Sequence, residues 1–335
     1  MLSYLLRRLL YAPLIILGVM LVTFVIFFIV QKPETMARNI LGKRATPATT
    51  YEWLHTRGYD KPLFLNVGQQ RQSPDGNPYA SQGPLDTIFF NQLWKLAVLD
   101  LGVSDVTGRE LKEVFQEGAL PSLLLTLPAY IAGFFMAVGL SLYLVFVRNS
   151  ALDTVGILLC VALMSIPGMV YIIFGQAVVA LGLNYFPAFG FDLSGWSSLR
   201  FLALPVSLVV VMHLGHDTRL YRAVFLEEIG QDYVRTALAK GVSSPRLLLV
   251  HVLKNGMIAL ITLIVAHLPL LILGSMLVEN FFGIPGLGNL LVNAIQTSDL
   301  AVVRATTFLT SILYIVGLTV TDVFYALVDP RIRLS

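Results

Sequence analysis

Cysteine is nearly absent. Of 335 residues only Cys160 is one, and it lies inside an apolar run. A single thiol builds no disulfide framework and no sulfur-ligated metal cluster, and it says nothing about redox compartment. Charge is also scarce. Asp, Glu, Lys and Arg together make up 13% of the chain, against roughly 25% in a soluble domain. The net charge of +3 is too small to point to a nucleic-acid partner. The pattern Gly-x4-Gly-Lys-Ser/Thr, which cradles nucleotide phosphates, does not occur. No Ser or Cys nucleophile stands in a pattern with a base, so an intramembrane hydrolase has no support. Acidic residues avoid the middles of the apolar runs and sit near their ends, at Asp153, Asp217, Glu279, Asp322 and Asp329. A proton relay or ion-coupled carrier would place ionisable groups near mid-membrane instead.

What the chain has in quantity is apolar length. It is 56% hydrophobic with mean hydropathy +0.76. Its apolar runs reach about 20 residues or more, enough to cross a hydrocarbon core as helices. The expected fold is an all-α polytopic membrane protein. The first run, Leu9 to Val30, follows Arg7 and Arg8. It is too long for a secretory signal and no small-x-small cleavage site follows, so it reads as an uncleaved first span. Five more runs cover about Ala119–Val147, Thr154–Leu183, Leu199–His216, Gly256–Val278 and Val303–Leu327. Pro128, Pro167, Pro205 and Pro269 fall inside them and each removes a backbone donor.

Between the first two spans, residues 31–118 form the one long polar segment. Lys32 to Glu117 carries ten basic and ten acidic residues. Gln69 to Pro84 is rich in turn formers, and Thr87 to Val98 reads as helix. This segment is expected to be a small extracytoplasmic cap, because long loops translocate largely regardless of charge. Residues 119–335 form the remaining transmembrane domain.

Six crossings with an inside start put both termini in the cytoplasm. The inside pieces then hold eleven Lys and Arg: Arg7, Arg8, Arg148, Arg219, Arg222, Arg235, Lys240, Arg246, Lys254, Arg331 and Arg333. The short outside loops hold Arg200 and Arg304. This asymmetry follows the positive-inside rule.

The stretch Asp217 to Asn255 interrupts the apolar pattern with ten charged side chains. Glu227 to Lys240 can form a helix with Val234, Ala237 and Leu238 as its apolar stripe. Gly241 follows as a helix stop. Ser244 as N-cap and Pro245 at the first helical position then restart a helix to Asn255. Helix, sharp turn, helix gives a short rigid knob. From the residues alone, it is either such a knob, gripped by a soluble partner, or an ordinary basic loop that sets topology. An ion-coupled secondary transporter and a non-transporting assembly protein also remain as alternatives at this level. Gly283 to Gly288 contains too much Gly and Pro to continue a helix and is expected to turn back at the outer face, before a short helix Asn289–Gln296. His213 and His216 are three residues apart, and His267 lies in another run. No carboxylate or sulfur sits at ligand spacing, so packing is preferred to a metal site.

Several runs resemble the permease subunits of the dipeptide/oligopeptide/nickel family of binding-protein-dependent ABC importers. These are Tyr4 to Leu10, Gln231 to Ser243 followed by His251 to Asn255, Val278 to Gly288, and Leu327 to Ile332. Tyr59 to Leu63 and Asp100 to Ser104 match as well, so the resemblance runs nearly end to end and in order. Arg235-Thr236-Ala237 stands where the wider superfamily has Glu-Ala-Ala. The resemblance implies a type I ABC importer permease fold in a bacterial inner membrane. It implies that Asp232, Tyr233, Arg235, Thr236, Ala237, Lys240, Gly241, Val242, Ser243 and Pro245 form a coupling helix seated in a groove of an ATPase subunit. It further implies a homologous second permease, two ATPase subunits holding ATP and magnesium, and an extracytoplasmic substrate-binding protein, with no cofactor on this chain. Glu279, Gly283, Pro285, Gly286 and Gly288 are expected at an outer gate or at the binding protein. The sequence departs from the family between about Leu65 and Phe89, where it is longer, and at Gln296 to Leu300.

Overall fold

A computed structural model describes residues 2–42, 45–66, 83–273 and 275–328. The turn-rich run at 69–84 lies largely outside these residues, as do Asp329, Arg331 and Arg333. Fourteen helices follow one another in the described chain: α1 (Leu2–Phe24), α2 (Pro33–Leu41), α3 (Pro47–Arg57), α4 (Ile88–Ala97), α5 (Leu111–Phe146), α6 (Ala151–Ser165), α7 (Gly168–Phe174), α8 (Trp196–Ile229), α9 (Asp232–Ala239), α10 (Ser244–Arg246), α11 (Leu253–Leu273), α12 (Met276–Phe282), α13 (Leu287–Gln296) and α14 (Leu300–Val328). Wider π turns extend α1 over Val25–Val30, extend α7 over Gly175–Gly182, and join α10 to α11 over Leu247–Val252. Among the described residues, five helices are long and apolar enough to cross a membrane, and the pair α6–α7 makes a sixth span if its two pieces count as one.

That pair is the segment expected over Thr154–Leu183, kinked at the Pro167 within it. The chain bends by 90° between Ser165 and Gly168. Ile166 adopts an extended backbone, φ −87° and ψ 124°, because the ring of Pro167 crowds the helical conformation of its predecessor. The interruption frees carbonyls of α6. The Tyr171 hydroxyl donates to one of them, Leu163 O, at 2.8 Å.

The fourth span differs. The expected segment Leu199–His216 is part of a 34-residue helix that runs on to Ile229. The charges from Asp217 onward therefore do not open a loop. They ride on a continuous helix, since Arg and Glu are good helix formers, and Arg222 finds a partner on α6. The true interruption begins at Gly230.

The chain divides into two compact units. One comprises Leu2–Glu117 with Leu290–Ile315. Its core gathers Phe24 and Phe28, Met36 and Ala37 of α2, Trp53 and Leu54 of α3, Tyr59, Ile88 and Phe89 of α4, and Leu300. The Phe24 ring meets Phe28 at 5.0 Å and Phe89 at 5.1 Å. The polar segment thus builds its core with residues of the first span rather than alone. Thr46 caps α3 by accepting from Thr49 N, with Thr49 reaching back to Thr46 N, and Thr87 caps α4.

A buried clasp closes this unit. Asp105 accepts from Arg57 Nε at 2.9 Å and from Ala301 N at 3.0 Å. Asp299 accepts from Asp105 N at 3.1 Å and from the Ser104 hydroxyl. Burial pushes the Asp105 carboxyl up from the ordinary range, with nearby Arg304 and Arg57 opposing. Asp105→Ala would leave the Arg57 guanidinium half-buried without its carboxylate. The expected cost is about 2–4 kcal/mol, to be read as a lower thermal midpoint in detergent. An unchanged midpoint would show that water replaces the carboxylate without penalty.

The other unit comprises Gly118–Asn289 with Val316 onward. It contains two apolar clusters. One surrounds Tyr221, Phe225, Val234, Ala237, Leu247, Leu248, Val252 and Leu260, together with residues of α5. The other surrounds Leu125, Ile172, Ala180, Leu202, Leu204, Val278, Phe282 and Ile284. Each lies beneath one of the two candidate sites.

Candidate functional site

The first site is a hairpin between α8 and α11. α8 stops at Gly230, Gln231 becomes extended, and α9 runs over Asp232–Ala239. The end of α9 closes through two backbone bonds, Gly241 N to Leu238 O at 2.9 Å and Val242 N to Ala237 O at 3.2 Å. This pair of bonds defines the reversed turn that glycine stabilises after a helix. Gly241 supplies the required left-handed conformation, φ +79°. Val242 packs on the same cluster as Ala237, the apolar contact that accompanies such turns. Ser243, not Ser244, is the residue just before the next helix, and Pro245 falls in its first turn. The shift by one arises because Ser243 already has the extended backbone of a cap residue, φ −64° and ψ 147°. Its side chain makes no capping bond.

The hairpin has two faces. Val234 and Ala237 are 1% and 9% exposed and pack into the core. Tyr233 also faces inward. Its hydroxyl donates to Glu228 Oε2 at 2.7 Å and is hydrogen-bonded with Asn255, which ties α9 to the end of α8 and the start of α11. The apolar stripe is therefore Tyr233, Val234 and Ala237. Leu238, expected in that stripe, is 49% exposed. Around it, Arg235, Thr236, Lys240, Gly241, Ser243 and Pro245 are exposed. Arg235 lies 3.7 Å from Asp232, both open to solvent, a geometry that contributes little stability. The exposed face is thus basic with one bare leucine, and is set by a braced turn.

The second site is the turn from α12 to α13. Glu279 is fully buried. Its Oε1 accepts from the Ser122 hydroxyl at 2.8 Å and Ser275 N at 3.1 Å. Its Oε2 accepts from Asn289 N at 3.0 Å, and Gly288 N also donates to the carboxylate. Ser122 Oγ accepts in turn from Leu287 N at 2.8 Å. The unpaired N–H groups that begin α13 therefore end on one carboxylate and one hydroxyl. A negative charge is favoured at a helix start, while burial pushes this carboxyl up from its ordinary range. The glycines make the approach possible. A Cβ on Gly286 would stand 2.5 Å from Ser122 Oγ, and one on Gly288 would stand 2.7 Å from Met276 Cα. Gly283 has φ +67° and ends α12. Pro285 is exposed at the tip. The helix expected from Asn289 starts two residues earlier, at Leu287.

Three participants escaped the sequence reading. Ser122 stands more than 150 residues from its partner Glu279, and nothing local announces it. Gln176 donates to Ala188 O and Phe281 O, each at 2.9 Å, bracing the same turn. Asp153 pairs with Arg222 through both carboxylate oxygens. His213 bonds its own helix at Val209 O, and the side chain of His267 lies outside the described set. Among the described residues no group of three or more His, Cys, Asp or Glu is placed to hold a metal.

The chain belongs to the family described as binding-protein-dependent transport system inner membrane component, whose model matches residues 111–334. The amino-terminal model of the same transport systems matches residues 1–70. The chain is 30% identical to a Brucella abortus protein named as a peptide transport system permease, over 94% of this chain and 95% of that one. It is also 30% identical to the glutathione transport system permease protein GsiC of Salmonella typhimurium, over 99% of each. GsiC of Salmonella typhi matches to the same extent. The chain is thus a multi-pass inner-membrane permease subunit of a binding-protein-dependent ABC transporter. That assignment leaves the ion-coupled alternative without support.

Proposed function

We propose that this permease imports short peptides or peptide-like thiols such as glutathione, and that the hairpin Asp232–Pro245 is where an ATPase subunit engages it. On this reading both termini and the hairpin face the cytoplasm. A homologous second permease completes the pathway, two ATPase subunits bind ATP and magnesium, and this chain holds no cofactor and catalyses no reaction. The turn at Glu279, Gly283, Pro285, Gly286 and Gly288 faces outward, at the gate or the binding protein.

The observation that carries the coupling role is the division of α9 into two faces. Tyr233, Val234 and Ala237 are committed to this chain's own core, whereas Leu238 is bare among Arg235, Thr236 and Lys240. An exposed leucine on a rigid basic knob fits an apolar groove with an acidic rim. Two relatives named for peptide and glutathione transport support the substrate class.

Leu238→Asp is expected to cut recovery of the ATPase subunits with the affinity-tagged permease by about tenfold, which corresponds to ~1.4 kcal/mol. The amount of permease in the membrane should not change, since Leu238 serves no core contact. Recovery at the wild-type level would remove this face from the interface. For the function itself, the complete set of co-encoded subunits is reconstituted in liposomes and offered labelled tripeptide or glutathione. Uptake should require ATP and persist with ionophores present. Uptake that ignores ATP and collapses with the ion gradient would reverse the assignment of the energy source.

A further inference from the structure

The hairpin is one end of a longer object. α6 and α8 pack antiparallel, and two fixed points set how they meet. At the first, Gly215 lies so close to α6 that a Cβ there would stand 2.5 Å from Cys160 O and 3.1 Å from Leu163 Cβ. At the second, Arg222 Nη2 donates to Asp153 Oδ1 at 2.9 Å and to Oδ2 at 2.8 Å. Gly215 to Arg222 is seven residues, and Cys160 to Asp153 is also seven, counted in opposite directions. The two points therefore stand the same two turns apart on both helices, roughly 10 Å. Both side chains of the ion pair are largely buried, 18% exposed for Arg222 and 7% for Asp153.

Asp153 has a further task. Its N–H donates to the N-cap Ser150 Oγ at 3.3 Å, and its carboxylate accepts from Asn149 N at 3.1 Å. The carboxylate is therefore fixed by the first turn of α6 before Arg222 reaches it. A glycine contact alone lets two helices slide or rotate about the point of approach. A charge-assisted pair anchored on both sides fixes the angle as well. Breaking a buried pair leaves an uncompensated charge, which resists separation. Arg222 is about two turns before Gly230, where the hairpin begins.

We propose that Asp153 and Arg222 are positioning residues for transport: they lock α6 to α8 so that a displacement of the hairpin is delivered to α6 and to its break at Pro167. This rests on the coupling role proposed for the hairpin. Without the lock, α8 rotates against α6 and the stroke is lost between them, while the ATPase subunits still bind and turn over.

The test uses the assembled transporter in liposomes and reads ATP hydrolysed per solute carried, for wild type, Asp153→Asn and Arg222→Lys. The ratio should rise about threefold or more in Asp153→Asn, with hydrolysis within twofold of wild type. Arg222→Lys, which keeps the charge on a shorter side chain that loses the Nη2 donor to both oxygens, should fall between them. Were Asp153→Asn to lower hydrolysis and uptake in proportion, leaving the ratio unchanged, the pair would be structural only and the proposal overturned. If Asp153→Asn does not assemble, Arg222→Lys decides: a raised ratio supports the lock and a wild-type ratio ends it. Wild-type uptake that is independent of ATP would instead refute the coupling reading on which the lock depends, a separate result in the same experiment.

Discussion

Gly241→Pro is expected to abolish uptake while leaving the chain folded and inserted. The native turn needs φ +79° at this position, and proline is held near −65°. Proline also lacks the N–H that now bonds Leu238 O at 2.9 Å. The native turn is therefore closed to the variant, and the hairpin must settle in another shape. A valine in the left-handed region costs roughly 1–2 kcal/mol, so Gly241→Val should reduce uptake by about tenfold where the turn is the limiting element. Asparagine tolerates this backbone region. No atom lies within 4 Å of a Cβ built on Gly241, so Gly241→Asn should stay near wild type. The series tests backbone conformation rather than crowding at Cβ, whose position is open in all three variants. Rates of labelled-peptide uptake, normalised to permease in the liposome, provide the readout. Normal transport by Gly241→Pro would show that the turn's shape is irrelevant to coupling.

At the Glu279 turn the largest effect is on stability. Glu279→Ala removes the acceptor for Ser122 Oγ, Ser275 N, Gly288 N and Asn289 N at once, in a buried place. Each stranded donor costs about 1–3 kcal/mol, partly recovered by water that enters the vacated volume. A net loss of about 3–5 kcal/mol follows, and for a domain of this size it lowers the thermal midpoint by on the order of 10 °C. Gly288→Ala attacks the same turn differently. Its Cβ would press on Met276 Cα at 2.7 Å and N at 2.8 Å, which are backbone atoms that cannot swing aside, and the expected cost is about 1–3 kcal/mol. Differential scanning fluorimetry in detergent measures both. A midpoint for Glu279→Ala within 2 °C of wild type would mean that the carboxylate does not organise the start of α13.

The spans were readable because lipid demands long apolar runs and the chain supplies them. The turn at Gly241 was readable because only glycine takes that conformation cheaply after a helix. The start of the hairpin was not. Charge marked Asp217 as the beginning of a loop, yet Arg222 is charged because it meets Asp153, not because it leaves the helix. Leu238 sits at core spacing from Val234, but the real inward face is shifted toward Tyr233 by the hydroxyl's bonds to Glu228 and Asn255. Pro167 announced a kink without its size. That depended on Ile166 becoming extended and on Tyr171 satisfying the freed carbonyl of Leu163. Glu279 was legible as a site and not as a hub, since its partner Ser122 lies on a distant helix. Asp299 likewise lies in a run that departs from the family, and its partners Ser104 and Asp105 are visible only in three dimensions.

The bend at Pro167 divides the third span into two short limbs. α6 has 15 residues, roughly 22 Å of helix, whereas a hydrocarbon core is about 30 Å thick. Neither limb of the bent pair is a self-sufficient insertion unit. Only the bent pair α6–α7 taken together has the length for a crossing, and Asp153 at the start of α6 is paired by Arg222 of α8 in the folded chain.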